Sequence, residues 1–463
     1  MPEGKKLTDY TIVTELKDAD GKVVAQGKQQ GTAFTGKQFE QEFIIEHPSL
    51  WTPDTPALYT AESKIYEGET LKDTYTTRFG VRSVEIIAGK GFFLNGEPLK
   101  FRGVCNHHDL GPLGGVSNEA GIRRQIRMLK DMGCNAIRTS HNMPSNELIA
   151  ACDEMGMMVM AESFDEWKSA KVENGYHKVF DEWVERDLTN LLRHFRNNPS
   201  IVMWCIGNEV PDQWNGNRGP KLTRMLQDIC HREDPTRPVT QGMDVPDAVV
   251  NNNMAAVLDV PGFNYRPHKY LENYKKLPQE IILGSETAST LSSRGVYKFP
   301  VERRSMAKYD DIRLLLMTWN TAAGQTCPKT TSSSMTTFLI ASVNLYGPDS
   351  IIWVNRLLTI QTGPAILLSS VSLTWQDSRK TATTSTAATG TRMQKPCISC
   401  PTGTGKDAKE KLLRSLSIPT ILRQSCSSTA RARENVRKIS RLPSKTVLTL
   451  LPWPALNARN VTA

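Results

Sequence analysis

No run of about eighteen apolar residues occurs in this chain, so no segment is long and apolar enough for a membrane-spanning helix. The first residues, MPEGKKLTDYTIV, lack the apolar stretch and small-residue cleavage site of a secretory leader; they read as the start of a fragment or of a cytoplasmic form. Nine cysteines make no even, clustered framework, and five lie scattered through residues 1–311, as in a protein that keeps its thiols reduced. Acid is scarcest in the last third. Residues 312–463 hold 5 Asp+Glu against 19 Lys+Arg, whereas residues 1–311 hold 43 against 38. The net charge of +9 is therefore −5 on the body and +14 on the tail, which argues against a nucleic-acid surface on the body. Ser and Thr shift too, from 33 in the first 311 residues to 41 in the last 152. At 463 residues, 39% hydrophobic and 23% charged, the chain is otherwise globular in composition, with room for two or three domains.

Residues 1–86 read as short strands. Thr11 to Leu16 nearly alternates, Asp18-Ala19-Asp20-Gly21 is a hairpin turn, and Val23-Val24-Ala25 and Phe39 to Ile45 follow. This predicts an immunoglobulin-like β-sandwich, truncated if its first strands are missing, since such a sandwich ordinarily has seven. From about residue 92 the period changes. Apolar strands at Phe101–Cys105, Asn135–Arg138, Met157–Ala161 and Ile201–Ile206 alternate with helical patterns, and each strand ends in polar residues. Weaker strands fall near Pro238–Thr240, Leu258–Phe263 and Ile281–Gly284. Seven β-then-α units in succession predict a parallel sheet with right-handed crossovers. A doubly wound sheet would want a glycine-rich phosphate loop after its first strand, and none is there. A TIM barrel fits better, with seven of its eight βα units in frame over residues 87–311.

Two strand ends carry a lone glutamate after an apolar run: Ile206-Gly207-Asn208-Glu209 and Leu283-Gly284-Ser285-Glu286. One such residue is ordinarily a solvated loop carboxylate. Two at matched strand ends of a barrel would point into one cup, where paired carboxyls can cleave a glycosidic bond. One, kept protonated, gives its proton to the leaving oxygen; the other attacks the anomeric carbon.

The stretch from FFLNGEPLKFRGVCNHHD through RTSHNMPSNELIAACDEMG, FDEW, RNNPSIVMWCIGNEV and GSETAS resembles the glycoside hydrolases of family two, a group that includes β-galactosidases, β-glucuronidases and β-mannosidases. PSLWTPDTPALY and FGVRSVEI resemble the sandwich that precedes the barrel there. The SHN, FDEW and GSETAS forms look most like β-galactosidases, so the resemblance implies a retaining enzyme acting on terminal β-galactosides, with β-glucuronidase or a non-catalytic relative as alternatives. It places Glu209 on the acid/base and Glu286 on the nucleophile. It implies that His141 lines the sugar subsite, that Asn208 bonds the sugar 2-hydroxyl, that Tyr265 hydrogen-bonds the nucleophile, and that Asp165 and Trp167 line the pocket or hold its rim, with core packing as the alternative for Trp167. His107, His108 and Asp109 sit on the first rim without assigned roles. Glu162 and Glu166 partly echo carboxylates that hold magnesium in some relatives, but Lys168 stands where a histidine ligand is expected, so no metal or other cofactor is claimed. The implied partner is a β-galactoside oligosaccharide or glycan, with neither a specific nucleic acid nor a membrane.

After Tyr309-Asp310-Asp311 the resemblance stops, and the eighth strand does not follow in frame. Back-translation suggests why. With two bases dropped, codons permitted for FLIASVNLYGPDSIIWVN can read SHCIGEFVWTGFDYLGE, which resembles the family's eighth strand with its tryptophan. Three further segments become family-like at the same offset. Residues 312–463 are therefore expected to be a frameshift-derived basic, Ser/Thr-rich tail, disordered or non-native. The Cys397-Ile398-Ser399-Cys400 pair in it reads as accidental, with no second pair to complete a metal site. The barrel is expected to stay open between its first and seventh strands, leaving a poorly folded chain of weak or no activity.

Overall fold

The computed structural model describes residues 6–31, 39–110, 113–131, 133–287 and 291–293, with strands at 351–356, 360–361, 367–370, 445–451 and 455–461. The N-terminal strands β1 (Tyr10–Lys17), β2 (Val23–Gln30), β4 (Tyr59–Glu67) and β5 (Thr70–Phe79) form an antiparallel sheet in the order β2-β1-β4-β5. The Asp18–Gly21 turn joins the first two, with Gly21 at φ +79° as such a turn requires. Strand β3 (Gln41–Glu46) alternates buried and exposed residues, so Phe43 and Ile45 face a core with Leu16, Tyr59 and Phe79.

A small sheet follows: β6 (Val84–Ile87), β7 (Gly91–Leu94) and β8 (Glu97–Pro98). Its Phe92 and Leu94 pack with Phe101, Met158, Val202 and Leu283, an apolar plug inside one end of the barrel. Sandwich and barrel are locked together by buried polar contacts. Trp51 Nε1 donates to the Asp153 carbonyl at 2.9 Å, and Arg82 donates to the carbonyls of Pro199 at 2.9 Å and Ile201 at 2.6 Å.

The barrel strands are β9 (Arg102–His107), β10 (Ala136–Ser140), β11 (Met158–Glu162), β12 (Ile201–Asn208), β13 (Val239–Met243), β14 (Val260–Asn264) and β15 (Ile282–Glu286), all parallel. Between them run α1 (Glu119–Asp131), α2 (Asn146–Met155), α3 (Phe180–Phe195), α4 (Gly219–Glu233), α5 (Pro246–Asn251), α6 (Met254–Val257) and α7 (Tyr270–Tyr274). Sequence signals account for the helix ends. Ser145 caps α2 by accepting from the Leu148 N–H at 3.3 Å, and Gly156 ends it at φ +71°. The pleat sorts the strands' side chains. Met158 and Met160 join the inner plug while Val159 and Ala161 join the outer layer with the helices. The same alternation sends Ala136 and then Arg138 inward.

Seven staves come from the segment before residue 311, as the sequence predicts. The expected opening between the first and seventh is corrected by the structure. After β16 (Leu291–Ser293), strand β17 (Ile351–Arg356) pairs in parallel with both β15 and β9 and closes the barrel. Without it the facing edges of β9 and β15 would carry unpaired N–H and C=O groups, and IIWV is an apolar run of β-branched and aromatic residues suited to take them. The tail also supplies β18 (Ile360–Gln361) and β19 (Leu367–Ser370), which sheet with β16. Its hairpin β20 (Lys445–Leu451) and β21 (Ala455–Val461) pairs with β3. The Cys397/Cys400 pair lies outside the described residues. Among the described residues no helix is long and apolar enough to cross a membrane.

Candidate active site

The C-terminal end of the barrel reverses the character of its plugged end. Arg138, fully buried on β10, is its organising charge. Its Nε lies 2.7 Å from Glu162 Oε2, its Nη1 donates to Glu286 Oε1 at 3.0 Å, and its Nη2 donates to Glu162 Oε1 at 3.0 Å and Asn208 Oδ1 at 3.1 Å. One guanidinium thus ties together the ends of four staves, using the planar fork that suits carboxylates. His141 bridges the same two acids, with Nδ1 3.2 Å from Glu162 Oε1 and Nε2 3.1 Å from Glu286 Oε1. Burial opposes charge on this ring, but Glu162 and Glu286 outweigh it and raise its pKa above the ordinary 6.5.

Glu286 is fully buried at the end of β15, and Tyr265 donates its hydroxyl to Oε2 at 2.8 Å. Arg138 and Tyr265 therefore each address one oxygen of this acceptor-only group. Glu209, past the end of β12, has different company. Asn264 Nδ2 donates to its Oε1 at 2.8 Å and also to Asn208 Oδ1 at 2.9 Å, so one amide aligns two neighbouring residues. Burial, then the charge of Glu286, pushes the Glu209 carboxyl above its ordinary 4.5. Glu209 and Tyr265 have φ of +44° and +58°, a region that non-glycine residues enter at a cost and that clusters at functional sites.

Glu209, Glu286, Asn208, His141 and Tyr265 are thus brought into one connected network. Asp165 stands at its edge, exposed, accepting from Asn208 Nδ2 at 2.9 Å and Lys171 Nζ at 2.7 Å. Of the readings open for Trp167, the geometry favours packing over pocket lining: the indole has no exposed surface and donates from Nε1 to the Ile206 carbonyl at 2.8 Å, so it buttresses β12 from behind. A Cβ on Gly207 would lie 2.9 Å from that indole, which explains the glycine before Asn208. On the first rim, the His107 ring meets His141 edge-on at 5.1 Å, His108 Nε2 bonds the Gly115 carbonyl at 2.8 Å, and Asp109 is half-buried.

Glu162 and Glu166 do not fit a magnesium site. Glu162 is taken up by Arg138 and His141. Glu166 works against its own burial by accepting from the backbone N–H groups of His177, Lys171 and Val172, which hold its pKa down at about 2 and fold the loop around it. Lys168 pairs instead with Asp181.

Sequence reading missed Arg138, Asn264 and Lys171. Arg138 did leave a signal, an arginine inside the otherwise buried strand run Ala136-Ile137. Gly242 left none: a Cβ there would lie 2.6 Å from Arg138 Nη2 and 2.9 Å from Asn264 Oδ1, so the network needs a bare backbone on β13.

The molecule is similar to known proteins over most of its described length. A sequence model of "Glycosyl hydrolases family 2, TIM barrel domain" matches residues 84–335, and one of "Glycosyl hydrolases family 2" matches residues 2–82. The chain is 38% identical over 327 residues to a β-galactosidase of Bacteroides ovatus, covering 64% of this chain and 38% of that protein. It is 27% identical over 352 residues to a β-glucuronidase of Streptococcus agalactiae serotype V, covering 68% of this chain and 56% of that one. Among solved structures, the crystal structure of a β-glycosidase from Bacteroides vulgatus superposes with a TM-score of 0.67 at 25% identity, covering 84% of this chain and 51% of that one. The chain thus spans well under two thirds of the length of these relatives. The barrel match alone takes in more than half of the 463 residues, and the chain belongs to glycosyl hydrolase family 2.

Proposed function

We propose that this chain carries the catalytic centre of a retaining β-glycosidase that hydrolyses terminal β-D-galactosides. The observation that carries the reading is the contrast between the two glutamates. Glu209 is driven toward its protonated form by burial and by Glu286, while Glu286 is held by donors from Arg138 and Tyr265. Separating the environments of two titratable groups in this way supports reading one as acid and the other as nucleophile. Glu286 attacks the anomeric carbon as Glu209 gives its proton to the departing oxygen, leaving a galactosyl ester on Glu286. Glu209, now ionised, takes a proton from the water that hydrolyses the ester, and configuration is retained. Asn208, fixed by Arg138 and Asn264, faces the 2-hydroxyl, and His141 lines the sugar subsite beside Glu286.

Galactosides are favoured over glucuronides by charge. A glucuronide brings a carboxylate that needs a cation, and among the described residues the arginine and the lysine beside the glutamates are already engaged, Arg138 with Glu162 and Glu286 and Lys171 with Asp165. Side-by-side assay of nitrophenyl β-galactoside and nitrophenyl β-glucuronide tests this. Turnover of the galactoside with retained configuration is expected; preference for the glucuronide would replace the reading. The composition break after Asp311 supports a frame change in the tail, which resequencing across codons 305–320 tests. A missing base would restore family-like sequence, whereas an unchanged one leaves Ile351–Arg356 as the chain's own eighth stave.

A further inference from the structure

The loop after β12 runs on from Glu209 to α4, and a fully buried carboxylate fixes it. Asp212 accepts from the Ser169 backbone N–H at 2.8 Å, from Ser169 Oγ at 3.1 Å and from Arg218 Nε at 2.6 Å. Gln213, also buried, donates from its side-chain amide to Asp244 Oδ1 at 2.6 Å and accepts at its backbone carbonyl from Asn252 Nδ2 at 3.0 Å. Immediately after these two buried residues the indole of Trp214 stands 69% exposed. The loop after β11 is built alike. Glu166 gathers its backbone N–H groups, and Val172, one of the donors, is 63% exposed. Ser169 sits on that second loop, so its bonds to Asp212 and Arg218 fuse the two.

A single exposed apolar residue is ordinary on a protein surface. Here two of them project from backbone pinned by buried carboxylates, and burying charge is costly unless fully paired. Such anchoring fixes the backbone that carries the indole before anything binds, which lowers the ordering cost of binding. Position supplies the occupant. On the reading of Glu209 as the acid, its proton goes to the leaving oxygen, and Trp214 lies five residues further along the same rigid loop.

We propose that Trp214, with Val172 on the fused neighbouring loop, forms an apolar leaving-group subsite that takes a flat face, either an aryl aglycone or the C–H face of a second sugar ring. The proposal rests on the galactosidase reading above and goes beyond it to the aglycone. It is tested by calorimetric titration of the full chain and its Trp214→Ala variant with three non-hydrolysable S-glycosides: methyl and phenyl 1-thio-β-D-galactoside, and a thio-linked galactosyl-glucose. The chain is expected to bind the phenyl compound, the disaccharide or both about tenfold more tightly than the methyl one. Trp214→Ala should abolish that advantage while leaving methyl thiogalactoside affinity unchanged, and Trp214→Phe should keep most of it. Loss confined to the phenyl compound identifies an aryl site; loss for both identifies a general flat-face site. An advantage that survives Trp214→Ala, or equal affinity for all three ligands in the unaltered chain, overturns the subsite alone. Failure of the unaltered chain to bind any of them overturns the galactosidase reading, and the subsite with it.

Discussion

The ends of β12 and β15 hold the same side chain in opposite settings. Glu209 receives one amide hydrogen bond, from Asn264, and is raised in pKa by burial and by its neighbour's charge. Glu286 is bound by a guanidinium and a phenol, with His141 beside it. What differs is the company delivered by other staves: Arg138 from β10 reaches Glu286, and Asn264 from β14 reaches Glu209. A barrel can give two identical residues different chemistry because each strand end is surrounded by the ends of all the others.

Substitutions at the two ends should break this comparison unequally. On the proposed assignment Glu286→Gln removes the nucleophile and should lower kcat by about 10⁴-fold or more on every galactoside, read by steady-state hydrolysis. Glu209→Gln should cost about 10²–10⁴-fold on alkyl galactosides but much less on a nitrophenyl substrate, whose leaving group needs no proton. Equal losses on both substrates would contradict the acid assignment. Arg138→Met leaves Glu162 and Glu286 buried without their shared cation and should destabilise the fold by about 3–5 kcal/mol in denaturant titration. The smallest effect sharpens the electrostatics. Asp244 is among the charges that raise Glu209, and Lys171 among those that lower it. A base-side loss of kcat/KM sets in when the acid deprotonates. Asp244→Asn lowers the acid's pKa and should move that limb to lower pH, and Lys171→Met should move it to higher pH.

The sequence carried much of this architecture because periodicity and strand-end polarity are local. Seven staves, the Ser145 and Gly156 caps and both glutamates were legible from runs of adjacent residues. What was not legible depends on register between distant strands. Trp167 lies within an FDEW run that does not itself say whether the indole lines the pocket or packs in the core, and the turn after β11 buries it behind β12. Arg138 reaches Glu286 across 148 positions, a pairing that no window of sequence contains. The eighth stave escaped for another reason: a composition break masked Ile351–Arg356, and its place is set by pairing with the edges of β9 and β15, which are distant in sequence.

The pairing of roles between Glu209 and Glu286 is tested most directly by trapping. A 2-deoxy-2-fluoro-β-galactosyl fluoride slows hydrolysis of the glycosyl ester more than its formation, so the sugar accumulates on the nucleophile. Peptide mass spectrometry should find one fluorogalactosyl group on the peptide bearing Glu286 and none on that bearing Glu209. A label on Glu209, or no label on either, would contradict the assignment.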